Sequence, residues 1–158
     1  MKWFPYEKLY IYSELTPEEI QHIIAENTQK QNFRFFHNKD EKYFEGTVDN
    51  YKFYISKNLS GRNSFNPIIK GIIFPKDNLT EIEISFSLHL QTLLASILIY
   101  LFLLFLIIYS FISGEPNMYL IPVCFLVVAY LMMFFNFNYL SSVVKNKLFE
   151  LVKPLSIK

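Results

Sequence analysis

The side chains that could do chemistry are few and scattered. His22, His37 and His89 are the only histidines, and Cys124 is the only cysteine. No two histidines stand at His-x-x-x-His spacing and no cysteine accompanies them, so no metal-ligand set is expected. A lone cysteine forms no internal disulfide. Glu81 and Glu83 stand two apart, which on a strand puts both carboxylates on one face. Without a base, nucleophile or cleft residue beside them, they read as a solvated sheet face, as do Glu18 and Glu19. Ser60-Gly61-Arg62-Asn63-Ser64 is small and polar like a phosphate loop. It lacks the Gly-x-x-x-x-Gly-Lys pattern, and Phe65-Asn66-Pro67 and a strand follow it instead of a helix. A turn shaped by Asn63 and Ser64 is the expectation there. No catalytic residue, cofactor or metal site is expected, and the chain does not read as an enzyme.

The elements that carry these residues fall into two unlike regions. Between Glu83 and Glu115 there is no charged residue, and between Glu115 and Lys145 there is none again. Leu93–Ile112 and Tyr119–Phe137 are the most apolar parts. A bilayer core needs roughly 20 apolar residues per helix, so each run is long enough to span it. Ser113-Gly114-Glu115-Pro116-Asn117 is the turn between them. The spans lack ionisable residues, so an ion or proton pathway is not expected. Lys145, Lys147, Lys153 and Lys158 follow the second run, and the turn carries no basic residue. By the positive-inside rule both termini are cytoplasmic and Glu115 is outside. The only arginines are Arg34 and Arg62, the lysines are scattered and the net charge is +1, so no nucleic-acid partner is expected.

Residues 1–89 read as a cytoplasmic α+β domain. Leu9–Tyr12 is a strand candidate. Thr16-Pro17-Glu18-Glu19 has the grammar of a helix start, a capping box with Pro at the first position. Ile20, Ile23 and Ile24 recur at helical spacing. Phe33–Phe36 is a short strand candidate, and Tyr43–Val48 and Tyr51–Lys57 form a hairpin about Asp49-Asn50. Pro67–Phe74 is the next strand and Pro75–Asn78 a turn. In Thr80–Gln91, Ile82, Ile84, Phe86, Leu88 and Leu90 alternate with polar residues, which predicts a half-buried antiparallel strand. The expected fold is thus α+β: a mostly antiparallel sheet of five or six strands with one helix, then a transmembrane helical hairpin over residues 90–138. A short C-terminal amphipathic helix and basic tail are expected over residues 139–158, either continuing the second span inward or lying apart on the membrane surface or the sheet, and ended by Pro154.

Phe44-Glu45-Gly46-Thr47-Val48, Phe53-Tyr54-Ile55 and Arg62-Asn63-Ser64-Phe65-Asn66-Pro67-Ile68-Ile69-Lys70-Gly71-Ile72-Ile73 resemble a pattern of small uncharacterised bacterial two-span membrane proteins. That pattern is F-x-G…F-x-I…R-N-S-F-x-P-x-I-x-G-x-I ahead of two membrane helices. The resemblance implies architecture and a bacterial cytoplasmic (inner) membrane, and it carries over no activity. A looser similarity is to bacterial pleckstrin-homology-like domains, from which the helix between the first two strand candidates departs.

Together these features make a non-enzymatic membrane-anchored interaction module, or an accessory subunit of a membrane assembly, the leading expectation. Its partners would be the lipid bilayer and a membrane protein or further copies of the chain. The alternative is a lipid-headgroup-binding domain. The candidate contact residues for either are Lys57, Arg62, Asn63, Lys70 and His89. Juxtamembrane basic groups contribute about 1 kcal/mol each on an anionic surface; His89 reads first as a polar anchor at the interface, where its charge could also respond to pH.

Overall fold

The computed structural model describes residues 4–30, 42–59, 63–114 and 116–157. The chain opens with β1 (Tyr6–Ser13), whose alternation turns Leu9, Ile11 and Ser13 to one face. Thr16 then starts α1 (Pro17–Glu26). Its hydroxyl accepts from the Glu19 N–H, and the Glu19 carboxylate accepts from the Thr16 N–H at 2.8 Å. This reciprocal box satisfies donors that a helix start otherwise leaves unpaired. Ile20 and Ile24, four apart, are wholly buried and fix which side of α1 meets the sheet.

Thr28–Gln29 forms β2, which pairs in parallel with β3 (Phe44–Asp49). β3 returns as β4 (Lys52–Lys57) through Asn50 and Tyr51, both at positive φ. A two-residue type I′ hairpin requires that geometry at both positions. Tyr51 is held in it by α1: its N–H donates to Gln21 Oε1 at 3.0 Å and its hydroxyl to Glu18 Oε1 at 2.8 Å. β5 (Ile68–Lys76) and β6 (Leu79–Ser87) complete the central meander. The expected turn at Pro75–Asn78 is tighter than its composition implied. Pro75 and Lys76 still pair with Thr80 and Leu79, and only Asp77 and Asn78 lie between the strands.

The sheet order is β2-β3-β4-β5-β6-β1-β7, where β7 is Ser156–Ile157. Every pairing except β2–β3 is antiparallel. The seven strands exceed the expected five or six because β2 and β7 are two residues each, too short to leave a periodic signal. The strand expected at Phe33–Phe36 lies outside the described residues.

β6 ends at Ser87, short of the predicted Gln91, and α2 (Leu90–Ile112) begins after Leu88 and His89. Leu88 is buried, but Leu90 is 68% exposed. The last step of the alternation was therefore a coincidence of parity. A 3-10 turn (Pro116–Tyr119) leads into α3 (Leu120–Val152). Pro122 is tolerated there because a helix's first turn has no internal acceptor for its N–H.

Of the two arrangements open to the C-terminal helix, the structure shows continuation of the second apolar run. The segment after residue 138 continues α3 without a break, about 50 Å of helix at 1.5 Å per residue. No Gly or Pro occurs between Pro122 and Pro154. The polar residues that mark the change, Asn136 and Asn138, fold their side-chain amides back onto the Met132 and Phe134 carbonyls. They change the surface and leave the backbone ladder intact. Lys153, in the left-handed region, and Pro154 end the helix.

α1 and the last third of α3 lie on the same sheet face. Leu9, Ile11, Phe53, Ile55, Ile69, Ile73, Ile82, Ile84 and Phe86 form one core with Ile20 and Ile24 of α1 and with Phe137, Val144, Leu148 and Val152 of α3. The Ser13 hydroxyl donates to the Val152 carbonyl at 2.8 Å, and Lys145 pairs with Glu7 at 2.5 Å. α2 and the part of α3 before Tyr130 stand clear of this core, and Tyr130, Met133 and Phe137 are the first residues of α3 to pack into it. Both helices are long and apolar enough to cross a membrane, yet only 6% and 17% of their most apolar windows is buried. A core helix of a soluble domain would be covered, and these are not.

Candidate functional site

Two regions gather the polar residues that the sequence singles out. The first is the end of the sheet from which α2 departs. Here the β4–β5 connection is fastened to the first turn of α2, where Thr92 Oγ1 donates to the Ser64 carbonyl at 2.9 Å. Asn63 Oδ1 accepts from the Phe65 N–H at 2.9 Å, an Asx turn, and the Asn63 carbonyl accepts from the Asn66 N–H. Asn66 Nδ2 donates to the Lys57 carbonyl at 2.7 Å, and its Oδ1 is buried without a partner. The loop is therefore built as a turn and a latch.

Lys57, at the end of β4, extends its ammonium over the Tyr43 ring at 5.6 Å, and Lys147 of α3 approaches the same ring at 6.0 Å. Burial pushes the Tyr43 hydroxyl above its usual pKa, against the pull of Lys147. His89 occupies the N-cap position of α2, and its side chain makes no capping bond. Its carbonyl accepts from the Leu93 N–H at 3.0 Å. Arg62 and His37 lie outside the described residues. His22 is exposed on α1, 3.6 Å from Glu26.

The second region is the sheet face turned away from the helices. Register aligns its side chains in rows across the strands. One row is Thr47, Tyr54, Lys70, Ser85 and Lys8. The next is Asp49, Lys52, Ile72, Glu83 and Tyr10. Lys70 belongs here, one row in from the α2 end, with its ammonium 5.6 Å from the Tyr54 ring. The structure thus brings Lys57, Asn63 and His89 to one end of the sheet and sets Lys70 on its open face.

Glu81 and Glu83 share this open face, as their spacing required, but they are not a solvated pair. Glu81 is 5% exposed and bound to Lys76 at 2.5 Å. Glu83 holds Lys8 at 2.6 Å. The hydrogen bond to Glu83, reinforced by Tyr10, raises the Lys8 pKa well above the lysine range. Lys76 is shifted up the same way, chiefly by Glu81. Each carboxylate is thus committed to a cation.

Beside these neutralised pairs is a shallow apolar trough. Thr47, Asp49, Lys52, Tyr54, Lys70 and Ile72 line it, on β3, β4 and β5, with the Gly71 backbone in its floor. Tyr54 and Ile72 are 45% and 42% exposed. The sequence reading found Lys70 and missed its neighbours. The signal was present in the hairpin alternation, where Lys52 and Tyr54 share a parity opposite to Phe53 and Ile55. Among the described residues no group of three His, Cys, Asp or Glu is placed to hold a metal ion. No protein-family model, curated protein or solved structure matches the chain.

Proposed function

We propose that this chain is a non-enzymatic, membrane-anchored interaction module, an accessory subunit that holds a docking face near a bacterial cytoplasmic membrane. α2 and the apolar part of α3 span the bilayer as a hairpin. The basic residues that follow the second span keep both termini on the cytoplasmic side. The observation that carries the reading is the one-sided cover of the sheet. α1 and α3 bury one face and leave Tyr54, Lys70, Ile72 and Lys52 uncovered on the other. An exposed aromatic and an aliphatic side chain at the centre with charged ones around them match the apolar centre and polar rim of a protein-docking surface.

Height is fixed as well as exposure. Two residues, Leu88 and His89, separate β6 from α2, and the Thr92–Ser64 bond closes the corner. At about 3.3 Å per strand residue the trough stands roughly 15–25 Å from the start of α2. A lipid-headgroup role is less well supported, because its candidate contacts do not share a face: Lys57 and Asn63 lie at the α2 end, and Lys70 lies on the open face of the sheet.

The test uses the full chain in its native membrane with a photo-reactive phenylalanine at Tyr54 or Ile72 and, as control, at His22 on α1. Protein adducts from the open face and none from His22 are expected. Adducts to lipid alone, or equal yields from all three positions, would defeat the reading.

A further inference from the structure

We infer that the trough on β3–β5 takes an extended acidic segment of a partner protein, with one aliphatic side chain seated between Tyr54 and Ile72. This rests on the interaction-module reading and adds the chemistry of the partner.

Charge complementarity selects the occupant. The open face carries four lysines, and they divide into two kinds. Lys8 and Lys76 are each neutralised within the domain, by Glu83 at 2.6 Å and Glu81 at 2.5 Å. Lys52 and Lys70 have no carboxylate within 4.0 Å among the described residues. Lys70 rests only against the Tyr54 ring. Asp49, the one acid of the trough, accepts from Asn50 Nδ2 at 3.3 Å and makes no ion pair there. Asp49 is the cross-strand neighbour of Lys52, so the trough holds two lysines to one acid and is net positive around its apolar patch. A basic segment would meet Lys52 and Lys70 as like charges, and a neutral one would leave them unpaired.

Geometry selects an extended chain. The six lining side chains form a block of two rows on three strands, so anchors on the partner must follow strand spacing. Alternate residues of an extended segment project to one side about 6.5–7 Å apart, which matches the step from Lys70 to Ile72 along β5. The aliphatic residue covers Tyr54 and Ile72, and flanking carboxylates reach Lys70 and Lys52. Exposed ion pairs are individually weak, so the affinity of a short segment is modest and salt-dependent.

The experiment uses the full chain in lipid nanodiscs and fluorescent pentapeptides. Acetyl-Glu-Glu-Ile-Glu-Glu-amide is compared by anisotropy with its Gln, Lys and Ser-centred counterparts. The acidic isoleucine peptide should bind at least about threefold tighter than the Gln and Ser-centred ones, as one or two exposed ion pairs allow. The preference should shrink with added salt. In a Lys52→Glu/Lys70→Glu variant it should pass to the Lys peptide. Both lysines are exposed, and an unchanged unfolding midpoint would show that the variant remains folded. Equal binding of the acidic and Gln peptides, or a preference unmoved by the double variant, overturns the inference. If adducts still form from Tyr54 in cells, the module reading survives that result. If neither adducts nor peptide binding occurs, both fall.

Discussion

At Gly71 the absence of a side chain is what lets two strands carry an aromatic core. A Cβ built there would lie 1.9 Å from the Phe53 ring, which packs over the glycine from the next strand. Phe53 is 3% exposed, so its ring would have to shift within the packed core. Gly71→Ala should cost about 1–3 kcal/mol by overpacking, read as a lower denaturant midpoint in detergent. An unchanged midpoint would show that the ring moves freely. Gly46 is constrained differently, because its φ of +145° and a Cβ position 2.1 Å from the Tyr54 carbonyl oppose any side chain. A glycine inside a strand signals a close approach or a bulge, but the sequence does not identify the approaching group, since that depends on strand register.

A second prediction concerns Glu18. Its own N–H, at the start of α1, and then the Tyr51 hydroxyl hold its carboxyl below the usual pKa. A carboxyl depressed in the folded state stabilises above its unfolded pKa, and the contribution disappears as the pH falls through the folded value. The stability gap between the native chain and Tyr51→Phe should therefore be widest near neutral pH and narrow in acid below about pH 4. Denaturation series at several pH values read this out. A gap that grows in acid would contradict it.

Among the elements, α1 was the most legible. Capping box, first-turn proline and isoleucine spacing all pointed the same way, and the helix lies over Pro17–Glu26. Replacing Thr16 by Ala should cost about 0.5–2 kcal/mol, measured by the same denaturation. α3 was legible only in halves. Its apolar run and its later Leu/Val spacing were each visible, but continuity depends on the absence of any helix breaker across Asn136–Asn138, where polarity alone had implied a boundary. A proline at Ser142, exposed and in mid-helix, removes one ladder bond and should cost about 3 kcal/mol. Were Ser142→Pro harmless, two separate helices would be the better description. The short β2 and β7 were invisible because a two-residue pairing has no period, and their partners are fixed only in three dimensions. The trough was half legible: parity predicts which side chains share a face, but not which lysines are already neutralised.

For the molecule as a whole, the solitary Cys124 offers a direct check of the anchoring that we propose. It is exposed on α3, five residues into the helix. In sealed vesicles of either orientation a membrane-impermeant maleimide should fail to label it, and detergent should make it reactive. A cysteine placed at Ser156 should be labelled only from the cytoplasmic side. Labelling of native Cys124 from water would show that α3 does not cross lipid.

The path of α3 also determines when the head can mature. Val144, Leu148 and Val152 fill the same core as Ile11, Ile82 and Ile84, yet they are synthesised only after α2 and the apolar run of α3. A nascent chain that has just emerged through β6 thus holds a sheet with one greasy side unroofed. It must wait for the polypeptide to travel out along one rod and home along the other. A ribosome product halted after residue 89 should accordingly clump or be degraded, because the apolar run that we propose as an anchor and the lid are one continuous helix.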